Sequence, residues 1–225
     1  CNDALVARGL PGEMVTVGLI GGTGGIGTHL LTILIQRNYT IRALARSPAK
    51  LPSHERLTVV KGDVAADEAA VLEVCQGCDI VLSAVGGCVM SKMAANILKA
   101  KPSRFYCVTT LGVGGSSKEA AEMLTQMIGK TNFDDYDKAD MLVRSNGYTA
   151  VRPTSLNDKK GINKYLATDE IGMGPIDRFG YPLAIARSDV ALFLADCVED
   201  TQWDNKGVQV HKAASSDKRS GCNVS

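Results

Sequence analysis

The stretch VGLIGGTGGIG, at positions 17–27, contains five glycines within seven residues, directly after a run of strand-forming residues. An apolar helical pattern follows it, carried by Ile26, Leu30 and Leu34. A strand, a glycine turn and a helix in this order bring backbone N–H groups and the positive end of a helix dipole to one point, where they bind phosphate. The stretch therefore predicts a phosphate-binding turn and not a flexible linker.

The spacing of the glycines indicates which phosphate compound is bound. Gly21, Gly24 and Gly27 keep a three-residue spacing, in which one glycine permits the tight turn, another admits the pyrophosphate and the last packs helix against strand. A triphosphate loop would need Lys followed by Ser or Thr after the last glycine, whereas Thr28 and His29 stand there. We therefore expect a dinucleotide. The predicted contacts in this turn are Gly21, Thr23, Gly24, Gly25, Ile26 and Gly27.

The end of the second predicted strand, IRALARSPAK, indicates which dinucleotide is preferred. An acidic residue there would bind the ribose 2′-hydroxyl of NAD, but no Asp or Glu occurs between Gly27 and Glu55. Arg46 stands in its place with Ser47 beside it, which predicts NADP(H) as the cofactor. The alternative is that Arg46 is an ordinary solvated charge at a strand end.

The elements that must position these residues alternate between strand and helix. Strand-like runs occur at 15–20, 40–45, 57–61, 79–84, 104–110, 148–152 and 207–211. Helical patterns occur at 26–36, 66–75, 93–100, 116–146 and 188–199. This alternation predicts an α/β fold: a doubly wound, Rossmann-type, mostly parallel sheet with helices on both faces and strand order 3-2-1-4-5-6-7. We expect one domain over 1–213, with a small irregular substrate-side lobe at 154–181 and a flexible tail at 214–225.

Composition narrows the classes of partner. The net charge of +1 provides no basic field for nucleic acid, so we expect a small-molecule substrate. No apolar run approaches the roughly 20 residues of a membrane span.

Seven cysteines without regular spacing favour a reducing intracellular compartment, either cytoplasm or an organelle stroma or matrix. We expect no metal site, because His29, His54 and His211 are far apart and the Cys75/Cys78 pair has no second pair at ligand spacing.

Several motifs in order resemble those of the atypical short-chain dehydrogenase/reductases, in particular the NmrA-like and flavin/biliverdin-reductase-B-like NAD(P)-binding proteins. They are GLIGGTGGIGTHL, IRALARSP, VVKGDVAAD, DIVLSAVGG, YCVTTLGV, YTAVRPTSL and IARSDVALFLADCVED, and they span about residues 14–213. The resemblance implies an NADPH-dependent oxidoreductase that transfers hydride to a small planar or carbonyl acceptor. It also implies further cofactor contacts at Asp63, Val64, Ala84, Val85, Gly86, Thr109, Pro153, Thr154 and Ser155.

The same resemblance implies a catalytic hydroxyl after the fifth strand and a Tyr-x-x-x-Lys pair on the next helix. Thr110 matches the hydroxyl and Lys138 the lysine, but Asp134 occupies the tyrosine position. Tyr136 is the remaining candidate, although two helical residues two positions apart point about 200° apart. Asp134 and Lys138 could instead form a salt bridge one turn apart.

The missing tyrosine leaves two functions open. In the first, the chain transfers hydride, and water, Thr110 or the substrate itself supplies the proton to the acceptor. In the second, the chain binds NADP without turnover. In the second case it is a regulator, an assembly factor or a structural subunit with a protein partner.

Overall fold

Strands and helices alternate in the computed structural model, which describes residues 15–172, 174, 176, 180 and 182–213. The six strands of the first part are β1 (Thr16–Ile20), β2 (Thr40–Ala45), β3 (Leu57–Lys61), β4 (Ile80–Ser83), β5 (Phe105–Val108) and β6 (Thr149–Pro153). They are followed by β7 (Leu156–Asn157), β8 (Tyr165–Thr168), β9 (Ile185–Ala186) and β10 (Gly207–Lys212). The helices are α1 (Gly25–Gln36), α2 (Glu68–Cys75), α3 (Met90–Lys99), α4 (Lys118–Ile128), α5 (Lys130–Ser145) and α6 (Arg187–Asp196).

The main sheet has the order β3-β2-β1-β4-β5-β6-β10-β8. Its pairs are parallel except for β10 with β8, so the predicted doubly wound α/β fold is confirmed. The predicted seventh strand is β10, and the first seven positions follow the predicted order. The order reverses between β1 and β4, and ligands of such sheets bind outside the carboxyl ends of the strands at this point.

Within the described part of the segment 154–181, two short stretches form strands that the sequence does not predict. Its residues Tyr165–Thr168 form β8, which extends the main sheet antiparallel to β10, and β7 pairs with β9 in a separate two-stranded sheet. Among the described residues, the sheet partner of this four-residue strand lies some forty positions away, which leaves no local pattern to detect. The predicted tail at 214–225 and residues 1–14 lie outside the described residues.

Two layers of apolar side chains enclose the sheet. Val17 and Leu19 of β1 pack on the face covered by α1 and α6, while Ile20 and Val81 pack on the face covered by α2, α3 and α5. All four residues of β4 are buried, because helices cover both of its faces. In the described part of the chain, every helix is too short or too polar to cross a lipid bilayer.

The predicted helix at 116–146 is two helices. Gly129 has φ +83, which no α-helical residue adopts, so α4 ends before it and α5 begins after it. Leu124 of α4 packs with Leu111 and Ala120 in a small separate cluster. Because helical periodicity is similar on both sides of Gly129, the sequence pattern does not show where the first helix ends and the second begins. α4 is therefore a separate helix and not the first half of a long one.

His211 of β10 is a buried titratable residue, 1% exposed, with Nε2 3.1 Å from Gln209 Oε1. Burial lowers the pKa of His211 from its ordinary 6.5 to about 4. The unfolded chain therefore binds a proton that the folded chain does not, and stability falls as pH decreases from about 6.5 to about 4. The expected loss in the free energy of unfolding is about 3 kcal/mol across this window.

Urea denaturation of wild type and His211→Gln at several pH values measures this loss. The variant is expected to lose most of the pH dependence between 6.5 and 4, because glutamine does not titrate. His29 is exposed, so His29→Gln is the matched control and should keep the wild-type pH dependence. An unchanged slope in His211→Gln would show that other groups cause the acid sensitivity.

Candidate functional site

The glycine turn after β1 is shaped by close approaches of backbone to backbone. Gly21 has φ +88, and a Cβ built there would lie 2.9 Å from the Ala84 carbonyl carbon and the Val85 nitrogen. A Cβ on Gly27 would overlap the Gly21 carbonyl oxygen. The turn therefore has no room for side chains at these positions. It brings the first turn of α1 against the end of β4, where the residues Ala84, Val85 and Gly86 begin the next loop.

The N-terminus of α1 has the features of a ligand-binding helix end. Its N-cap, Gly24, offers no side-chain hydrogen bond, and its first turn contains no acidic residue. By contrast, Asp67 caps α2 and Ser117 caps α4 through hydrogen bonds to backbone N–H groups. The first N–H groups of a helix have no partner within the helix, so those of α1 are available to a phosphate. The glycine turn and the free N–H groups at the start of α1 together form what we call the phosphate cradle. Its exposed backbone fits a dinucleotide pyrophosphate.

The predicted residues for the adenine end lie beside this turn, after β2 and β3. Arg46 and Ser47 are exposed, and the Arg46 side chain is 81% accessible with Nη1 4.0 Å from Asp63 Oδ2. The other Asp63 oxygen accepts a hydrogen bond from the Ala65 N–H at 2.8 Å. The carbonyl oxygen of Val64 accepts one from Asn96 at 2.9 Å. The guanidinium of Arg46 therefore lies next to the glycine turn, and its ion pair with Asp63 is weak.

A cavity of about 390 Å³ opens at the carboxyl ends of β5 and β6. Six of the predicted residues line it: Thr109, Thr110, Tyr136, Pro153, Thr154 and Ser155. Four apolar side chains form a wall: Leu124, Met127, Ile128 and Leu156. These four and the three remaining lining residues were not among the predicted site residues; the remaining three are Gly87, Asn132 and Arg187. The fold thus joins strand ends, α4 and α5 around one space.

Tyr136 of α5 reaches this cavity. Its hydroxyl oxygen accepts a hydrogen bond from the Gly87 N–H at 3.0 Å, in the loop that follows β4. The preceding residue, Asp135, accepts hydrogen bonds from the Met90 and Ser91 N–H groups at 2.7 and 3.1 Å. Consecutive residues of α5 therefore hold the loop after β4 and the first turn of α3, and the tyrosine hydroxyl is fixed at the cavity.

Lys138 is exposed and is not among the residues that line the cavity. It follows Tyr136 by two positions, and the helix turns it away from the sheet, as the 200° separation requires. Asp134 does not pair with Lys138, because its carboxylate binds Lys130 at 2.6 Å one turn earlier. The structure therefore brings Thr110 and Tyr136 together at the cavity and leaves Lys138 outside it.

The two threonines after β5 have different environments. The Thr109 hydroxyl is buried, 3.1 Å from Asp140 Oδ2 and 3.2 Å from the Val151 carbonyl oxygen. Asp140 also forms a buried, two-point ion pair with Arg152 at 2.9 and 2.7 Å. Thr110 is only partly buried and lines the cavity. Thr109 thus joins the buried pair that attaches α5 to β6, and Thr110 is the hydroxyl available to a ligand.

Backbone from β6 to β9 forms the wall opposite α5. The Thr154 hydroxyl is buried and donates to the Leu183 carbonyl oxygen at 2.8 Å. The Ser155 carbonyl oxygen accepts from the Ile185 N–H at 2.9 Å. The chain after Pro153 is therefore held in place by the segment that leads into α6. No group of three or more His, Cys, Asp or Glu within the described ranges is arranged to hold a metal ion.

The parallel sheet with a bare glycine turn at its switch point defines a Rossmann-type dinucleotide-binding protein. A sequence model described as NAD(P)H-binding matches residues 21–201. The chain belongs to this NAD(P)H-binding family, which confirms the NAD(P)-binding family that the sequence motifs predict.

Solved structures with the same fold cover almost the whole chain. A Rossmann-fold NAD(P)-binding family protein from Shigella flexneri is 22% identical, with a TM-score of 0.72 over 92% of this chain and 98% of that one. A short-chain dehydrogenase/reductase from Veillonella parvula in complex with NADP is 17% identical, with a TM-score of 0.72 over 93% of this chain and 100% of that one.

A sequence match to a characterised enzyme is much shorter. A 3-beta-hydroxysteroid dehydrogenase of Mycolicibacterium neoaurum is 43% identical over 44 residues, which are 20% of this chain. The matches to this enzyme and to a related one of Mycobacterium tuberculosis take in only 12% and 14% of the length of those relatives.

Proposed function

We propose that this protein is an NADPH-dependent reductase that transfers hydride to a small, flat, largely apolar acceptor in the 390 Å³ cavity. The observation that carries the proposal is the position of the Tyr136 hydroxyl, which lies in this cavity and contacts the loop after β4 beside the glycine turn. The bound cofactor supplies the hydride. The residues of the chain then have three tasks: to hold the cofactor, to orient the acceptor and to provide a proton.

The proton is assigned to Tyr136. Its oxygen accepts the hydrogen bond from the Gly87 N–H, so its own hydrogen remains free to be donated into the cavity. Thr110, on the strand end facing the same space, orients the acceptor through a second hydroxyl. A positioned side chain that donates a proton contributes about 10²- to 10⁴-fold to a reaction rate.

The wall of the cavity supports an apolar acceptor. Leu124, Met127 and Ile128 come from α4, and Leu156 faces them from the strand side. Methionine adapts its shape to irregular or planar partners, and Met127 is 66% exposed. Among the solved structures with this fold, a Streptococcus pneumoniae protein has been assigned as an NADH-flavin reductase. A flavin or another flat ring system therefore suits this wall.

The preference for NADPH is assigned to Arg46. Replacing Arg46 with Ala is expected to raise the Kd of NADPH about ten- to a hundredfold, because a hydrogen bond to a charged group is worth about 1.5–3 kcal/mol. The Kd of NADH, which has no 2′-phosphate, should stay unchanged. Fluorescence titration of both cofactors measures the difference.

Lys50 provides the matched control for Arg46. It is an exposed basic residue a few positions along the chain, and Lys50→Ala should change both constants little. If Arg46→Ala weakens NADPH and NADH equally, Arg46 does not recognise the 2′-phosphate.

The proposed reaction is tested by NADPH oxidation with a panel of acceptors: flavins, quinones, biliverdin and simple carbonyl compounds. Oxidation by at least one flat acceptor, with saturation, is expected. Tight binding of NADPH without oxidation by any of them would favour the second function, a dinucleotide-binding regulator or structural subunit. The position of Lys138 outside the cavity is the observation that favours this second function.

A further inference from the structure

Arg187 is the first residue of α6, where helix stability gives no reason for a positive charge. The N-terminal end of a helix carries a partial positive charge, so an arginine in the first turn is unfavourable there. Arg187 is also the one charged side chain among the described residues that line the cavity. A cation retained at such a place is most useful as a ligand for an anion.

The side chain of Arg187 crosses the first residue of α1. A Cβ built on Gly25 would lie 2.7 Å from Arg187 Cδ and 3.0 Å from its Nε. Glycine at position 25 therefore leaves the space that the arginine occupies. Because Gly25 begins the helix whose free N–H groups form the phosphate cradle, the guanidinium lies beside that cradle.

The present partner of Arg187 is replaceable. Its Nη1 lies 2.7 Å from Asp158 Oδ1, but the Asp158 side chain is 84% exposed, whereas that of Arg187 is 29% exposed. An ion pair with so exposed a partner is weak, and a phosphate offers the planar guanidinium two hydrogen bonds at once. Asp158 lies directly after β7, so this contact ties the segment following β6 to the edge of the cofactor groove.

We propose that Arg187 binds the pyrophosphate of the dinucleotide. Before the cofactor binds, Asp158 pairs with the Arg187 guanidinium, and the pyrophosphate then displaces Asp158. This inference rests on the cofactor part of the proposed function and is independent of the acceptor. The N-terminus of α1 and the Arg187 guanidinium then bind the same pyrophosphate, with Arg187 on the side of the acceptor cavity. Cofactor binding releases Asp158 and with it the segment after β7.

Two probes separate the pyrophosphate from the rest of the cofactor. NADPH contains it, whereas adenosine 2′-monophosphate has the adenine, ribose and 2′-phosphate but lacks it. Arg187→Ala is expected to raise the Kd of NADPH about ten- to a hundredfold and to leave that of adenosine 2′-monophosphate unchanged. Arg187→Lys keeps the charge without the two-point geometry and should fall between wild type and Arg187→Ala.

Asp158→Asn distinguishes a competitor from a structural contact. It removes the competing carboxylate, so NADPH should bind as tightly as to wild type or more tightly. If Arg187 only fastened the segment after β7, Asp158→Asn and Arg187→Ala would weaken NADPH binding equally, and the inference would be wrong. Thermal melting of each variant checks that its fold is retained.

The remaining outcomes are also decisive. An unchanged Kd of NADPH in Arg187→Ala overturns the inference and would assign the charge to an anionic group of the acceptor. A wild-type protein that binds no NADPH overturns both this inference and the proposed function. A protein that shows the expected binding but reduces no acceptor keeps this inference and loses only the hydride transfer.

Discussion

Replacing Tyr136 with Phe is expected to lower kcat for NADPH oxidation by about 10²- to 10⁴-fold, the usual contribution of a positioned proton donor. The ring of phenylalanine retains the packing of Tyr136 against the loop after β4 but removes the hydroxyl that contacts Gly87. The Kd of NADPH should change little, because the cofactor cradle is formed by backbone of the glycine turn. Steady-state kinetics with the best acceptor of the panel, together with fluorescence titration of NADPH, measure the two effects separately.

Two further variants make this test specific. Thr110→Val removes the second cavity hydroxyl, and we expect it to raise KM more than it lowers kcat, since Thr110 is assigned to orientation. Lys138→Met should leave kcat within about twofold of wild type, because an exposed side chain outside the cavity cannot act on the acceptor. A large loss in Lys138→Met with an unchanged Tyr136→Phe would reverse the two assignments and restore the lysine as the acting residue.

The second large effect concerns the ion pair under the site. Asp140→Asn is expected to lower the free energy of unfolding by about 3–5 kcal/mol, the usual result of leaving a buried charge without its partner. Asp140 is 0% exposed, and its two oxygens bind Arg152 Nε and Nη2. Asparagine preserves the shape but not the charge, so the Arg152 guanidinium stays buried and uncompensated. Urea denaturation at pH 7 measures the loss.

Asp134→Asn is the matched control on the same helix. Asp134 forms an exposed pair with Lys130, and such pairs contribute about 0–1 kcal/mol. Asp140 lies one helical turn after Tyr136, so its loss should also loosen the tyrosine and lower kcat in the protein that remains folded. A stability of Asp140→Asn within 1 kcal/mol of wild type would mean that Arg152 finds another partner or leaves the core.

The Tyr-x-x-x-Lys resemblance and the structure direct attention to different residues of α5. The Tyr-x-x-x-Lys spacing matched Lys138 to the catalytic lysine and left Asp134 in the place of the tyrosine. In the structure, α5 buries Ala139, Asp140 and Val143, and Tyr136 lies on the same stripe one turn earlier. Because the charged Asp140 lies in the middle of this stripe, the hydrophobic pattern of the sequence does not reveal that this face of α5 is buried. Only its buried partner, Arg152 on β6, makes Asp140 compatible with a core position.

The sequence by itself determined the glycine turn, the alternation of strands and helices, the order of seven strands and the basic residue after β2. These features depend on local backbone geometry, side-chain periodicity and general rules of chain connection, which neighbouring residues specify. Tertiary structure decided three others: which face of α5 meets the cavity, the addition of β8 to the sheet, and the approach of Arg187 to Gly25. Each of these requires residues distant in sequence to pack together, and that packing is a property of the folded chain as a whole.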